Sequence, residues 1–369
     1  MRQFLSFVRK EFYHIFRDKR TMLILLVMPI VLIILFGFAV TTEVKNSRVA
    51  VLDLSKDDIT RQIREHFEAD RYFTVTEDIA DINVADRLFK ENKIDLVLAF
   101  SENFAEEMRH SGNAEIQIIA DGTEPNQASV RTGYARQVLS AYLQEYFEMN
   151  GVRPAFQIKP DTRMLYNPQS KSEYNFVPGV IGLILLLICA MMTSISIVKE
   201  KEMGTMEVLL ASPLPPITIV LAKLVPYFVI SCVNLATILI LSTVLLALPI
   251  AGSLPGFIGI TLLYILVALF LGLLISTVVN SQLAAMLLSL LLIVPSLYLS
   301  GLAFPIESMP VVLQYVSSVV PTRWYVDVAR KLMIQGVELR YVLKETLILA
   351  FMAVLILGIS WRKFKIRLE

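Results

Sequence analysis

The sequence is short of charged residues, which make up only 18% of its 369 residues, whereas hydrophobic residues make up 55%. Soluble globular chains carry about 25% charged residues, so this composition indicates an integral membrane protein. The net charge of +1 is too small to indicate a nucleic-acid partner. Only two cysteines occur, Cys189 and Cys232, and both lie in apolar runs. We therefore expect no disulfide between them.

Patterns that carry catalysis or bind metals are also missing from the sequence. It contains no G-x-x-x-x-G-K-[ST] motif, so the chain has no phosphate-binding loop of its own. His66 and His110 stand alone on helical patterns, without a second ligand at metal-binding spacing. We expect no catalytic residue, no metal site and no cofactor bound by this chain.

Long apolar runs are abundant instead. A helix crosses a bilayer with about 20 mostly apolar residues. The runs that qualify are 22–40, 176–198, 217–248, 257–279, 283–304 and 343–361. The first run is too long for a signal peptide and no small-x-small cleavage site follows it, so it reads as an uncleaved anchor. The sequence predicts an α-helical membrane protein with six transmembrane helices.

Lysine and arginine in the short loops predict the orientation. They are concentrated before the first run, directly after the second run and in the tail at 362–369. The opposite loops hold fewer: Arg323, Arg330, Lys331 and Arg340. Both termini are therefore expected in the cytoplasm.

Residues 1–21 predict an amphipathic helix that lies along the cytoplasmic membrane surface. An apolar stripe is formed by Phe4, Val8, Phe12 and Ile15. Arginine and lysine side chains occupy the other faces, as is typical of helices at a membrane interface.

Residues 41–175 interrupt the membrane pattern and predict an α/β domain outside the membrane. Strands are expected at 48–55, 72–77, 94–100 and 114–121, with helices between them and a long helix after the last strand. The candidate acids stand at strand ends and helix starts, where carboxylates usually cap helices. They are Asp53, Asp57, Asp58, Asp121 and Glu124. A recognition or docking domain fits this pattern better than an enzyme.

The stretch 199–216, KEKEMGTMEVLLASPLPP, lies between two apolar runs. Gly204 is its expected turning point, because glycine lowers the cost of breaking a helix. Thr205 can then cap a new short helix, and Pro213 helps to end it. The pattern predicts a compact cytoplasmic helix tied to two spans, although a plain connecting loop would look similar.

Residues 305–342 are divided by Pro305, Pro310 and Pro321 into pieces too short to cross the bilayer. Such pieces suit short helices that dip into the outer leaflet, with Trp324 and Tyr325 at the interface. We refer to 305–342 as the proline-rich stretch, and interpret it as a plug or gate.

A few polar side chains lie within or beside the apolar runs. Lys223 is expected to snorkel to the interface. The side chains of Asn234, Asn280 and Gln282 are more typical of helix–helix hydrogen bonds than of substrate ligands.

Two of these segments together resemble those of type-2 ABC exporter permeases. They are EKEMGTMEVLLASP at 200–213 and FPIESMPVVLQYVSSVVPTRWYVDVARKLMIQG at 304–336. The resemblance extends over the whole chain, and the large insertion after the first span is similar to that of the drug-efflux branch. It implies that 199–216, the coupling stretch, seats in a groove of a separate ATPase.

The resemblance also implies roles for individual residues. Coupling to the ATPase falls to Glu200, Glu202, Gly204, Thr205, Glu207, Leu209, Leu210 and Pro213. The outer gate falls to Pro305, Pro310, Pro321 and Arg330. The first, second and fifth spans would line the path, and their lack of ionisable residues suits hydrophobic or amphiphilic cargo.

The implied partners are an ABC ATPase that binds ATP and magnesium, a second permease copy or a related permease, and membrane lipid. A periplasmic adaptor leading to an outer-membrane channel is a further expectation. The implied location is a bacterial inner membrane. Two other functions stay open: a membrane-anchored receptor or scaffold that acts through the α/β domain, and a sodium or other ion exporter.

Overall fold

The computed structural model describes residues 2–39, 46–110, 114–122, 125–149, 166, 171, 173–205 and 215–366. The chain divides into two compact units. One unit consists of Met1–Thr41 with Met164–Glu369, and the other of Thr42–Arg163. We call them the helical unit and the α/β unit.

The helical unit is built from long apolar helices and several short ones. The long helices are α1 (Arg2–Arg17), α2 (Lys19–Ala39), α7 (Glu173–Glu202), α8 (Pro216–Val244), α9 (Leu254–Val278), α10 (Gln282–Leu299) and α13 (Leu343–Ile366). Between α10 and α13 lie α11 (Val311–Ser317), α12 (Pro321–Arg330), a π-helical turn (Lys331–Gln335) and two 3₁₀ turns (Ile306–Ser308 and Leu339–Val342).

Within the described residues, five helices are long and apolar enough to cross a membrane. The number rises to six when the pair Phe4–Arg17 and Met22–Phe36, bent by 70°, counts as one span. This agrees with a multi-pass helical membrane protein. Most boundaries lie within a few residues of those expected from hydropathy. The largest differences are of five residues: the fifth run's helix ends at Leu299 rather than at residue 304, and the sixth run's helix ends at Ile366 rather than at residue 361.

Helix α7 is the centre of the helical unit and packs antiparallel to α8 and α10 and parallel to α9. Near its start, the Gly182 carbonyl accepts a hydrogen bond from Tyr264 in α9 at 3.0 Å. In its second half, Ser194 Oγ lies 3.0 Å from Ser289 Oγ in α10. With 30 residues α7 is about 45 Å long, so one rigid helix contacts partners at both ends of the unit.

Small residues let α7 and α9 approach closely. A Cβ atom added to Gly272 in α9 would lie 2.6 Å from the Ala190 carbonyl oxygen and 2.8 Å from Thr193 Cβ. No side chain fits there without moving α7. Close approach through glycine is a common way to pack helices in membranes, where apolar side chains gain little by leaving lipid.

The α/β unit contains one four-stranded sheet in the order β2-β1-β3-β4. Its strands are β1 (Ser47–Asp53), β2 (Phe73–Asp78), β3 (Leu96–Phe100) and β4 (Ile116–Ala120). Strand β1 pairs parallel with both β2 and β3, and β4 pairs antiparallel with β3. The helices are α3 (Asp58–Ala69), α4 (Ile82–Lys90), α5 (Phe104–His110) and α6 (Pro125–Met149).

Two apolar clusters, built on opposite faces of this sheet, form the core of the α/β unit. One joins Val49 and Leu98 to Phe67 of α3 and Tyr142 of α6. The other joins Ala50 and Val97 to Leu88 of α4. Alternate residues of a strand point to opposite faces, so successive residues of β1 serve both clusters. The unit thus buries apolar residues on both faces of its sheet.

Asp57 has a structural role in the α/β unit. It caps α3, with Oδ1 accepting from the Ile59 and Thr60 amides at 2.9 and 2.8 Å. Its Oδ2 accepts from the Ala105 amide of α5 at 2.9 Å. Burial raises the pKa of Asp57, but hydrogen bonds from Ser55 and these amides outweigh it and lower the pKa below its ordinary value. The predicted capping role is confirmed for Asp57.

Substitution of Gly272 tests the close approach of α7 and α9. We expect Gly272→Ala to lower the stability of the helical unit by about 1–3 kcal/mol, because the added methyl forces the two helices apart. The thermal melting temperature of the full chain in detergent would measure the effect. Gly259→Ala in the same helix is the matched control, since a Cβ there meets nothing within 4 Å. Equal melting temperatures for the two variants would contradict this packing.

Candidate functional site

Helix α7 ends at Glu202, and the chain turns at Gly204, as the sequence predicts. The Met203 amide donates to the Lys199 carbonyl at 3.0 Å, and the Gly204 amide donates to the Lys201 carbonyl at 3.1 Å. Gly204 has a φ of +70°, a left-handed conformation that favours glycine. The Thr205 hydroxyl donates back to the Glu200 carbonyl at 3.2 Å. The helix therefore stops sharply before the coupling stretch continues.

Several residues implied in coupling lie outside the described residues, which resume at residue 215. They are Glu207, Leu209, Leu210 and Pro213. The short helix that Thr205 was expected to cap lies there too. The described part of the coupling stretch contains Glu200, Glu202, Gly204 and Thr205.

Glu200 belongs to a buried group of charges that joins three helices. Lys223 Nζ in α8 lies 2.7 Å from Glu200 Oε1 and 3.4 Å from Glu11 Oε1 of α1. The side chain of Lys223 is only 3% exposed and that of Glu11 only 6%. We call Glu11, Glu200 and Lys223 the charged cluster. Lys10, half exposed, lies 3.2 Å from Glu11 at its edge.

The expectation that Lys223 snorkels to the interface is wrong. Its ammonium is buried between two carboxylates, which replace the water it would otherwise need. Glu200 Oε2 is buried without a hydrogen-bond partner in the structure. The cluster is therefore a desolvated junction in which each charge depends on its neighbours.

The sequence reasoning missed Glu11, although a signal for it exists. Helix α1 buries Val8, Glu11 and Ile15, which are spaced by three and four residues and so share one face. An acid on the apolar face of an amphipathic helix requires a buried cation. Leu5, Tyr13 and Phe16 are exposed on the remaining surface.

The last two residues of α7 contact the turn between α9 and α10. Lys201 Nζ donates to the Ser276 carbonyl, and Glu202 Oε2 accepts from the Gln282 backbone and side-chain amides at 2.9 and 3.1 Å. The predicted helix–helix hydrogen bonding is confirmed for Gln282. It is wrong for Asn234, whose buried side-chain atoms have no hydrogen-bond partner in the structure.

In the proline-rich stretch, each proline precedes or begins a short helix. Pro305 precedes the turn Ile306–Ser308, Pro310 precedes α11, and Pro321 is the first residue of α12. Proline suits these positions because its fixed φ matches the first helical turn and its missing amide has no partner there. The prolines divide the stretch as the sequence predicts.

Helix α12 is held firmly inside the helical unit. Tyr325 is fully buried and its ring stacks on that of Tyr264 in α9 at a centroid distance of 4.2 Å. The Tyr264 hydroxyl lies 3.0 Å from Thr322 Oγ1. Arg330 Nη2 donates to the Gly301 carbonyl at 2.8 Å. Pro321 and Arg330 thus lie at the two ends of a helix packed against α7, α9 and α13.

The residues just before α12 are much more exposed. Val312, Tyr315 and Val319 are 72%, 75% and 76% exposed within this chain. Pro305 and Pro310 are exposed as well. The proline-rich stretch therefore has a packed half at 321–335 and an exposed half at 305–319.

Among the described residues, no group of three or more His, Cys, Asp or Glu side chains could hold a metal ion. Both cysteines are free, as expected, and Cys189 Sγ lies 3.1 Å from Ser231 Oγ. Polar contacts at both ends of α7 join it to neighbouring helices, so a displacement at one end of α7 can be passed to the other end.

Comparison with known proteins places the chain beside transporter subunits. The model of the ABC-2 family transporter protein matches residues 19–362. The probable multidrug ABC transporter permease YbhS of Escherichia coli strain K12 is 32% identical over 364 residues, which cover 98% of this chain and 96% of that protein. YbhR of the same strain, with the same description, is 28% identical over 334 residues and 90% of each chain.

A eukaryotic relative is longer. ABC transporter G family member 20 of Dictyostelium discoideum is 26% identical over 369 residues, which cover 97% of this chain and 49% of that protein. The chain thus matches the two bacterial relatives along nearly their whole length and about half of the larger protein.

Removal of the buried ammonium tests the charged cluster. We expect Lys223→Met to destabilise the junction by about 3–5 kcal/mol, because Glu11 and Glu200 would lose their buried counter-charge and keep only the half-exposed Lys10. Trypsin cleavage at Arg9 and Arg17 in detergent should become faster as α1 opens more often. The melting temperature of the chain should also fall.

The charge-free version is the informative companion variant. Combining Lys223→Met with Glu11→Gln and Glu200→Gln should recover most of the melting temperature, because no unpaired charge remains. Lys90→Met, which removes an exposed ion pair with Asp86, should change neither readout. A triple variant no more stable than Lys223→Met would show that the three charges do not act together.

Proposed function

The chain belongs to the ABC-2 family of transporter proteins and is the permease subunit of an ABC exporter, and we propose that it exports hydrophobic or amphiphilic compounds. It is a multi-pass inner-membrane protein and a transport subunit rather than an enzyme. Membership of the family implies an ABC ATPase partner and a second permease in the assembly. In our proposal the ATPase binds ATP and magnesium and supplies the energy.

We place both termini in the cytoplasm, together with the coupling stretch. The basic residues of the N-terminal segment, of 199–201 and of the tail support this orientation. Contacts between Glu11, Glu200 and Lys223 support it further, since they bring α1 to the same end of the helical unit as the coupling stretch. The proline-rich stretch and the α/β unit then belong to the outer side.

The observation that supports the mechanism is that one helix, α7, contacts the coupling stretch at one end and the proline-rich stretch at the other. At one end it continues into the coupling stretch through Glu202 and Gly204. At the other end its Gly182 and Asn175 carbonyls accept hydrogen bonds from Tyr264 and Arg330. Closure of the ATPase pair would push the coupling stretch, and α7 would transmit that motion to the outer side.

The coupling residues have different tasks in this mechanism. Glu200 secures α7 to α1 and α8 through the charged cluster, and Glu202 contacts the α9–α10 turn. Gly204 permits the sharp exit from the membrane, with Thr205 bonded back to the helix. The residues that would enter the groove of the ATPase are Glu207, Leu209, Leu210 and Pro213.

The outer gate follows the division of the proline-rich stretch. We propose that 305–319, the exposed half, is the part that moves when the gate opens. Pro305 and Pro310 belong to this half. Pro321 and Arg330 frame the fixed half, because α12 is buried against α7, α9 and α13. The gate would therefore open by displacement of α11, while α12 moves with the helical unit.

The cargo follows from the polarity of the proposed path. The first, second and fifth spans, α2, α7 and α10, carry few ionisable residues between their ends. A desolvated charge there would need a partner. The relatives YbhS and YbhR are described as probable multidrug ABC transporter permeases, which supports drug-like compounds as cargo. The α/β unit would be extracytoplasmic and could dock a periplasmic adaptor that leads to an outer-membrane channel.

Reversing a charge in the coupling stretch tests this function. We expect Glu207→Arg to abolish stable assembly with the ABC ATPase or to uncouple ATP hydrolysis from substrate. Co-purification and substrate-stimulated ATP hydrolysis in nanodiscs would measure the two effects. Glu102→Arg, an exposed position on the α/β unit, is the matched charge reversal and should leave both unchanged. If Glu207→Arg still assembles with the ATPase and substrate still stimulates ATP hydrolysis, the coupling role of Glu207 is wrong.

A membrane-anchored scaffold is the second candidate, and the separate core of the α/β unit favours it. Deletion of residues 46–170 distinguishes the two functions. A permease should still bind its ATPase, because the coupling stretch lies in the helical unit, whereas a scaffold should lose all partner binding. Co-purification of the ATPase with the deletion variant, in detergent, gives the answer.

A further inference from the structure

The end of α7 holds two neighbouring helix termini with opposite charges. Lys201 donates to the Ser276 carbonyl in the last turn of α9, and Glu202 accepts from the Gln282 amide in the first turn of α10. Helix C-termini favour cations and helix N-termini favour anions, since their free carbonyls and amides carry opposite partial charges. Lys201 and Glu202, consecutive residues of α7, thus place a positive charge at the end of α9 and a negative charge at the start of α10, on the two sides of the 279–281 turn.

Glu202 also completes the hydrogen bonding at the start of α10. The Ser281 hydroxyl accepts from the Ala284 amide at 3.2 Å, the usual arrangement of an N-cap. The Gln282 amide, at the first helical position, has no carbonyl of its own helix to bond. Glu202 supplies that acceptor from α7 and accepts from the Gln282 side chain as well. The α9–α10 turn is therefore fastened to α7 from outside.

This contact lies at the point where force from the ATPase would enter. Glu202 is the last residue of α7, and Gly204 follows within two residues. Helix α10 packs mainly against α7, and its buried residues in this chain are Ala285, Ser289 and Ser296. The Ser194–Ser289 hydrogen bond offers a second connection to α7, deeper in the helix pair.

We propose that Lys201 and Glu202 are positioning residues that transmit the motion of the coupling stretch directly to the α9–α10 turn and so to α10. This rests on the proposed function. The coupling stretch then drives three helices at once: α7 through the chain itself, and α9 and α10 through the two charged contacts. Packing along the length of α7 supports α10 but does not initiate its movement.

The structure offers a variant that breaks the contact from the α10 side. Gln282→Pro removes both the backbone and the side-chain donor to Glu202. Proline is well tolerated at the first helical position. Ser281 before it has a φ of −122° and a ψ of 146°, the extended conformation that a residue preceding proline requires. Glu202→Ala removes the acceptor from the α7 side, and the double variant completes the cycle.

Hydrogen exchange of residues 279–287 is the measurement, made by mass spectrometry on the full chain in nanodiscs. In the permease alone, Glu202→Ala should speed exchange there about fivefold, the effect expected for loss of a helix cap. In the complex with its ABC ATPase, addition of ATP and vanadate should change exchange at 279–287 in the native chain. Each single variant should lose that nucleotide response, and the double variant should lose no more.

Opposite outcomes overturn the proposal. An assembled complex whose nucleotide response at 279–287 is intact in Glu202→Ala, or absent in the native chain, shows that no motion reaches the turn through Glu202. A response lost in Glu202→Ala but kept in Gln282→Pro shows that Glu202 acts on another partner. Glu338→Ala, which removes an exposed carboxylate paired with Arg340, is the control and should behave as the native chain.

Failure of the proposed function is distinguishable from failure of this inference. A native chain that assembles with no ABC ATPase overturns both, and co-purification reveals it before any exchange is measured. An assembled complex that hydrolyses ATP, with an unchanged response in both single variants, overturns the inference alone.

Discussion

A charge buried in a membrane protein needs an opposite charge beside it. Lys223 is such a charge, and its pairing determines how three helices of this protein pack together. Its ammonium is 3% exposed and depends on Glu200 and Glu11. Those carboxylates belong to α7 and α1, so satisfying one lysine joins three helices. The junction includes Glu200 of the coupling stretch, the segment that we propose binds the ATPase.

Helix α7 carries Glu200 and also contacts most of the other helices of the helical unit. It packs against α9 at Gly272, and the Tyr264 hydroxyl of α9 donates to the Gly182 carbonyl and lies 3.0 Å from Thr322 Oγ1 of α12. The 30 residues of α7 form one helix, with Pro178 near its start, that contacts neighbouring helices close to both ends. The packed half of the proline-rich stretch lies against α7, whereas Pro305 and Pro310 in the other half are exposed.

Much of this could be read from the sequence, because hydropathy and special residues act locally. Apolar runs located the helices of the membrane unit, alternating patterns located the strands of the α/β unit within a few residues, and prolines marked the starts of α11 and α12. Gly204 was predicted as the turning point because glycine lowers the cost of breaking a helix, and the structure gives it a left-handed φ of +70°. The resemblance of 200–213 and 304–336 to exporter permeases led to the family that the comparisons show.

The sequence by itself therefore determined the spans, the turn at Gly204 and the membership of a transporter family, since each depends on residues close together in the chain. Only the tertiary structure decided the partners. Glu11 and Lys223 are separated by 212 positions, and Glu202 and Gln282 by 80. No periodic pattern in a sequence connects positions that far apart. The structure therefore shows that Lys223, which was expected to snorkel, is buried between two carboxylates, and that Glu202 accepts hydrogen bonds from α10.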